Sequence, residues 1–487
     1  MRCRVSRDAV CPRKRNLSRL LTATQVSSET RVVAKTGRGV QGNKHMANLS
    51  GMNRRHFLTH VAGFSALAVP GLQFVRNIQA NAQELRRQNK SIIILWMGGG
   101  PASIDIWDMK PGRPTGGEFR EINTAVPGIK ISQHMPKVAE QMRHLAIIRS
   151  LTTTEGDHAR GRTLMHTSYT PNPALAFPSI GAVSAHEIPK LAGYHDISLP
   201  NYIAVGGGAD GPGFLGMTYA PFTVQNPGTP PENIRPPQSV GTGVEAEERV
   251  RRRQRLFYTF EDQFTSTRAP HLSDKDRARF ADGSKAHNDI YKKGFSLVAS
   301  KEGKVFDLGT ESASLMDAYG NNNFGKSALM ARRLVEAGVS AVEINLGGWD
   351  THTQNFQAHA TRLQPTLDNA MGTLVKDLND RGLWQNTVIV WMGEFGRTPR
   401  INQNAGRDHW ARCWSVVVGG GAIKGGQVFG STDTDGMAVA TNPVSVGDVF
   451  ATLYRALGID PTTQIRDLIG RPFAIAGGNG RPIQQLF

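Results

Sequence analysis

Six consecutive apolar residues, Ile92-Ile93-Ile94-Leu95-Trp96-Met97, closed by Gly98-Gly99-Gly100-Pro101, constrain the fold of this chain more than any other feature. A strand without a polar face has to be covered on both sides, and a parallel sheet between helical layers does that. The same pattern recurs. Leu145-Ala146-Ile147-Ile148 reads as a second strand, and a helix near 326–337 stops at Gly338 before a strand at Ala341-Val342-Glu343-Ile344-Asn345-Leu346. Phe356, Leu363, Leu367, Met371, Leu374 and Leu378 then keep helical spacing up to Gly382. Strands follow at Thr387 to Met392 and Trp414 to Val418, and Val446 to Leu457 reads as an amphipathic helix closed by Gly458. The expected architecture over residues 90–475 is therefore α/β, with a mostly parallel central sheet between helical layers. The span 186–325 interrupts the alternation and predicts an inserted cap region: 206–243 is rich in Gly and Pro, and Glu245 to Arg255 reads as an exposed helix.

The net charge of +17 suggests a polyanionic partner only if it is spread evenly. It is not. Residues 1–82 hold fourteen Lys/Arg against Asp8 and Glu29, a net +12, and the remainder carries +5. In the body, Arg249, Arg251, Arg252, Arg253 and Arg255 are interleaved with acids outside any known nucleic-acid module, so a solvated helical face is expected and no nucleic-acid partner. Only Cys413 lies beyond that basic segment, which excludes a disulfide framework and leaves a buried structural thiol.

The basic segment reads as an address. Asn53-Arg54-Arg55-His56-Phe57-Leu58, the mildly apolar stretch Val61 to Val75 and the small-residue site Ala80-Asn81-Ala82 have the order of a twin-arginine signal peptide over 52–82. Residues 1–51 read as a disordered extension or a misassigned start. The apolar stretch is too short, and too interrupted by Gly, Ser and Pro70, for a stable membrane anchor. The export machinery is the expected partner, and the expected location is the periplasm or the exterior.

In open α/β sheets ligands bind beyond the C-terminal strand ends. Those positions share a character here: Asp105 and Asp108 after the first strand; Ser150, Thr152, Thr153, Thr154, Asp157 and His158 after the second; then Asp350 and His352, Glu394 and Arg397, and Asp408 and His409 ahead of the last strand. Carboxylates and imidazoles without thiolates suit a divalent cation, Zn, Mn, Mg or Ca; a hydrogen-bonded polar network is the competing reading.

The wording of these segments, Gly-Gly-Trp-Asp-Thr-His, Gly-Glu-Phe-Gly-Arg-Thr-Pro and Gly-Arg-Asp-His-Trp, with Gly-Gly-Gly-Pro-Ala-Ser-Ile-Asp near the first strand, resembles the exported proteins known as domain of unknown function 1501, within the alkaline-phosphatase/sulfatase superfamily. The resemblance implies an alkaline-phosphatase-like fold and a metal-dependent hydrolase of phosphate or sulfate esters acting on a small-molecule or glycan ester; the alternative is a binding protein that retains the fold. It implies Asp350, His352, Glu394, Asp408 and His409 as metal ligands, with Asp105 or Asp108 joining them. Glu394 and Phe395 stand where the superfamily has an Asp-His pair, and Gly98-Gly99-Gly100 where it has an Asp, so one metal site is expected rather than two. A metal-activated hydroxyl is implied among Ser150, Thr152 and Thr154, against the plainer reading of a helix cap. His158 is placed on the rim, and Arg397 either holds an anionic oxygen or forms a structural ion pair.

Overall fold

The computed structural model of the protein describes residues 84–229, 231, 244–299 and 301–487. The expected extension at 1–51 and signal at 52–82 lie outside them. The centre is an eight-stranded sheet made of β1 (Ser91–Gly98), β2 (Leu145–Leu151), β3 (Tyr202–Val205), β4 (Phe222–Val224), β5 (Ala341–Gly347), β6 (Thr387–Met392), β7 (Trp414–Gly420) and β8 (Gln427–Phe429). Their order is β8-β2-β7-β6-β1-β5-β3-β4. All pairings are parallel except those of β7, which runs against both β2 and β6. The reversal places the residues ahead of β7 at the same sheet edge as those following β1, β2, β5 and β6.

Strand alternation gives the sheet two cores. Ile93, Leu95 and Met97 face one cluster, while Ile92, Ile94 and Trp96 face the other. Over the first lie α5 (Asn323–Glu336) and α6 (Gln364–Asp380); over the second lie α1 (His158–Thr167), α2 (Ile180–Glu187) and α7 (Val446–Leu457). Asn322 caps α5 by accepting from the Gly325 amide, and the left-handed Gly338 ends its final turn. The helix expected from Phe356 onward is interrupted: its backbone widens into a π turn at His359–Leu363, just ahead of Pro365, which has no N–H to give.

The cap region is narrower than the sequence suggests. Within 186–325, β3 and β4 extend the central sheet in parallel, because their short apolar runs pair beside β5. The inserted element is a helical hairpin, α3 (Val244–Arg268) and α4 (Asp274–Ala299). Arg251, Arg252, Arg253 and Arg255 are exposed on α3. Among the described residues no helix is long and apolar enough to cross a membrane.

Candidate metal centre

The register of the central strands fixes where the loops leave. Gly98 pairs with Gly347, and Trp96 with Met392, so the turns after β1, β5 and β6 start side by side. Gly99 has φ +112°, and a Cβ there would meet the Asp350 amide nitrogen at 2.4 Å; only glycine lets the loop after β5 fold across the end of β1. Gly406 serves likewise, since a Cβ would lie 1.9 Å from the His352 carbonyl oxygen. A two-residue ribbon then pairs His409 with Arg397.

These turns bring three imidazoles to one carboxylate oxygen. The Asp350 Oδ1 lies 3.1 Å from His352 Nε2, 3.3 Å from His409 Nε2 and 3.4 Å from His158 Nε2. His352 and His409 approach each other at 3.0 Å through their Nε2 atoms. His158, Asp350 and His409 each present one donor atom, all within 4.8 Å of one another. For bonds of about 2.1 Å to one ion, tetrahedral ligand atoms sit roughly 3.4 Å apart, so this spacing suits a shared cation.

The outward-facing ring nitrogens are accounted for. His409 Nδ1 donates to the Gly156 carbonyl at 2.7 Å, His352 Nδ1 meets Asp408 Oδ1 at 2.7 Å, and His158 Nδ1 meets Glu394 Oε1 at 2.8 Å. Acceptors on the Nδ1 side place the ring protons there, which turns the three Nε2 lone pairs inward on an ionised carboxylate. His158 Nε2 is buried without a hydrogen-bond partner, as is Glu394 Oε2. A divalent cation is a group this focus of lone pairs fits, beside the Arg397 guanidinium that already meets Asp350 Oδ1.

Electrostatics keep Asp350 ionised. Burial pushes its carboxyl upward, but the hydrogen bond and charge of Arg397 outweigh this and hold it at about 2. Asp408 is lowered chiefly by its hydrogen bond with His352. Phe395 is fully buried and packs its ring 4.5 Å from His409 and 5.0 Å from His158.

Several expected roles change. Arg397 is not available to an anionic oxygen: its side chain is buried, donating from Nε to the Gly100 carbonyl at 2.8 Å, from Nη1 to the Arg407 carbonyl at 3.1 Å, and from Nη2 to the Gly99 carbonyl and Asp350. It orients Asp350. Asp105 stands apart from the cluster, because Arg407 takes both of its oxygens at 2.7 Å while Asn355 donates to it at 2.8 Å. Asp108 is likewise occupied, by Lys110 at 3.0 Å, Arg149 at 3.6 Å and the Thr432 hydroxyl. Glu394 and Asp408 sit one bond further out than expected, on the imidazoles of His158 and His352, and His158 moves from the rim to the centre. Ser150 is buried and donates to the Asn442 carbonyl at 2.6 Å. Among the described residues, no hydrogen bond joins Thr152, Thr153 or Thr154 to the cluster. Sequence reasoning missed the Asp105–Arg407 pair; Arg407, one residue before Asp408, was the signal.

Fold and site together define an α/β protein with a candidate cation site at the C-terminal edge of a mostly parallel sheet. The family described as Protein of unknown function (DUF1501) matches residues 89–487, and the chain belongs to it. No curated protein matches. Among solved structures the chain is similar to Ps i-CgsB, with 11% identity over 76% of this chain and 72% of that one and a TM-score of 0.34. It is also similar to the PsFucS1 sulfatase from Pseudoalteromonas sp., with 11% identity, 80% and 70% coverage and a TM-score of 0.33. The alkaline phosphatase from the Antarctic bacterium TAB5 is a third, with 11% identity, 76% and 98% coverage and a TM-score of 0.29. Likenesses this distant leave the activity to be argued from the site.

Proposed function

We propose that this chain is an exported, metal-dependent hydrolase of phosphate or sulfate esters. The observation that carries the reading is the convergence of three Nε2 atoms on Asp350 Oδ1 at 3.1–3.4 Å, each ring supported from behind on Nδ1. His158, Asp350, His352 and His409 would hold the cation. When bound, it supplies polarisation of an ester oxygen and offsets the charge that develops on it. The motif resemblance supplies the ester class.

The chain's own groups do the rest. Arg397 keeps Asp350 ionised and aimed inward, while Glu394 fixes His158. Asp408 holds the Nδ1 proton of His352 and so keeps its Nε2 lone pair turned to the cation site. With the Ser150 hydroxyl bonded to Asn442, a water is the preferred nucleophile. That same observation favours a second reading, a metal- or ligand-binding protein without catalysis. Aryl phosphate and aryl sulfate panels run with Zn, Mn, Mg and Ca decide between them: hydrolysis that vanishes in Asp350→Asn supports the hydrolase, and a metal-loaded protein inert on every ester supports the binder.

A further inference from the structure

Helix α1 carries the cluster at its first residue, and its basic residues recur every fourth position on one face: His158, Arg162 and His166. Each meets an acid from a different segment. His158 faces Glu394 at 2.8 Å, Arg162 faces Asp210 at 2.7 Å, and His166 faces Glu343 at 3.2 Å. The last pair is fully buried. Glu343 lies on β5, the strand that runs on to Asp350. Thus His166 and Glu343 join the two segments that deliver His158 and Asp350.

The hydrogen bonds fix the pair's proton inventory. His166 Nδ1 donates to the Arg162 carbonyl at 3.0 Å, so Nε2 is the atom left facing Glu343 Oε1. The other Glu343 oxygen accepts from the Tyr202 hydroxyl at 2.9 Å. One proton is therefore shared between imidazole and carboxylate, and the pair is neutral overall. Around His166 lie Glu343 from β5, Tyr202 from β3, Asp210 at 3.4 Å from the loop after β3, Arg162 on its own helix, and the Trp96 ring of β1 at 4.1 Å.

We propose that His166 and Glu343 are positioning residues for the cation site: their buried, proton-sharing contact sets α1 against β5 so that His158 and Asp350 meet at ligand spacing. The proposal rests on the metal reading above. Burial opposes a charged His166, but the charge and hydrogen bond of Glu343 prevail and raise its pKa above the ordinary value. A raised histidine gives stabilisation that is complete below the unfolded value near 6.5 and lost as pH climbs through the folded value. Once the proton leaves, Glu343 keeps the Tyr202 hydroxyl but no cationic partner in the core, and the α1–β5 spacing loosens at alkaline pH.

The test compares wild type with Glu343→Gln, measuring zinc affinity by chelator competition from pH 6 to 10 and amide exchange of α1 in metal-free protein. The variant is expected to bind zinc about tenfold more weakly at pH 7, the low end for removing an outer partner, and to lack the wild type's alkaline loss of affinity. Its α1 amides should exchange about tenfold faster. Wild-type affinity together with a wild-type alkaline limb overturns the proposal. If Glu343→Gln does not fold, the paired change His166→Leu with Glu343→Leu replaces it, and persistence of the alkaline limb there is equally fatal. Should wild type bind no metal, the hydrolase reading fails by itself, and α1 exchange decides this proposal: unchanged protection in the variant overturns it.

Discussion

Asp105 and Asp350 both follow a central parallel strand of the same sheet, and they have opposite fates. The Asp350 side chain is 47% exposed, with three imidazoles turned toward one of its oxygens. Asp105 is wholly buried and held at both oxygens by Arg407. The difference is in the partner. Arg397 bonds Asp350 at Oδ1 and leaves the carboxylate half-exposed, whereas Arg407 takes both oxygens of Asp105 and anchors the loop that carries Asp408 and His409. A carboxylate at a strand end is thus a ligand or a bolt according to what its neighbours leave free.

The largest expected effect is on the anchor. Arg407→Met strands the Asp105 charge in the core and should cost about 3–5 kcal/mol in denaturant unfolding, while pairing it with Asp105→Leu should recover much of the loss. An equally large loss from Asp350→Asn would erase the contrast between the two aspartates. Next comes the ligand side. Asp350→Asn or His409→Ala should weaken metal affinity beyond the ~10–100-fold typical of removing an outer partner, read by chelator competition. Asp408→Asn, whose side chain meets the far nitrogen of His352 and the Asn402 amide, should fall within that ~10–100-fold range and leave folding stability nearly unchanged, Asp408 being about half-exposed. An Asp408→Asn effect as deep as that of Asp350→Asn would promote Asp408 from support to ligand.

The smallest effect is on acid stability. Asp350 titrates at about 2 in the fold, below the unfolded value near 3.9. Its contribution is present above the unfolded value and disappears as pH falls through the folded one. Metal-free Asp350→Asn should therefore show a shallower loss of stability than wild type between about pH 4 and pH 2, followed by circular dichroism.

Much of this was legible in the chain. The apolar run at Ile92–Met97 called for a two-sided core, and the Gly-rich breaks after it, after Leu346 and after Met392 marked the edge where ligands gather. Asp350, His352 and His409 followed from that edge. Glu394 and Asp408 were found, but not their distance from the centre, because a linear sequence does not show which ring nitrogen a carboxylate will reach. His158 was misplaced to the rim: Asp157, which caps α1, marks the helix start, but nothing local shows that the first imidazole turns toward Asp350. Arg397 was open between two roles, and its engagement with three backbone carbonyls depends on long-range contacts with no local signature. β3 and β4 were hidden because short strands in a Gly/Pro-rich region carry little periodicity.

The central claim is that one cation is held by His158, Asp350, His352 and His409. Elemental analysis of purified protein after equilibrium dialysis against Zn, Mn, Mg and Ca in turn tests it most directly. The expected result is one equivalent of at least one of these ions, lost in both Asp350→Asn and His158→Ala and kept in a folded Asp108→Asn variant. No bound ion in wild type, or an equivalent that survives both ligand substitutions, would contradict it.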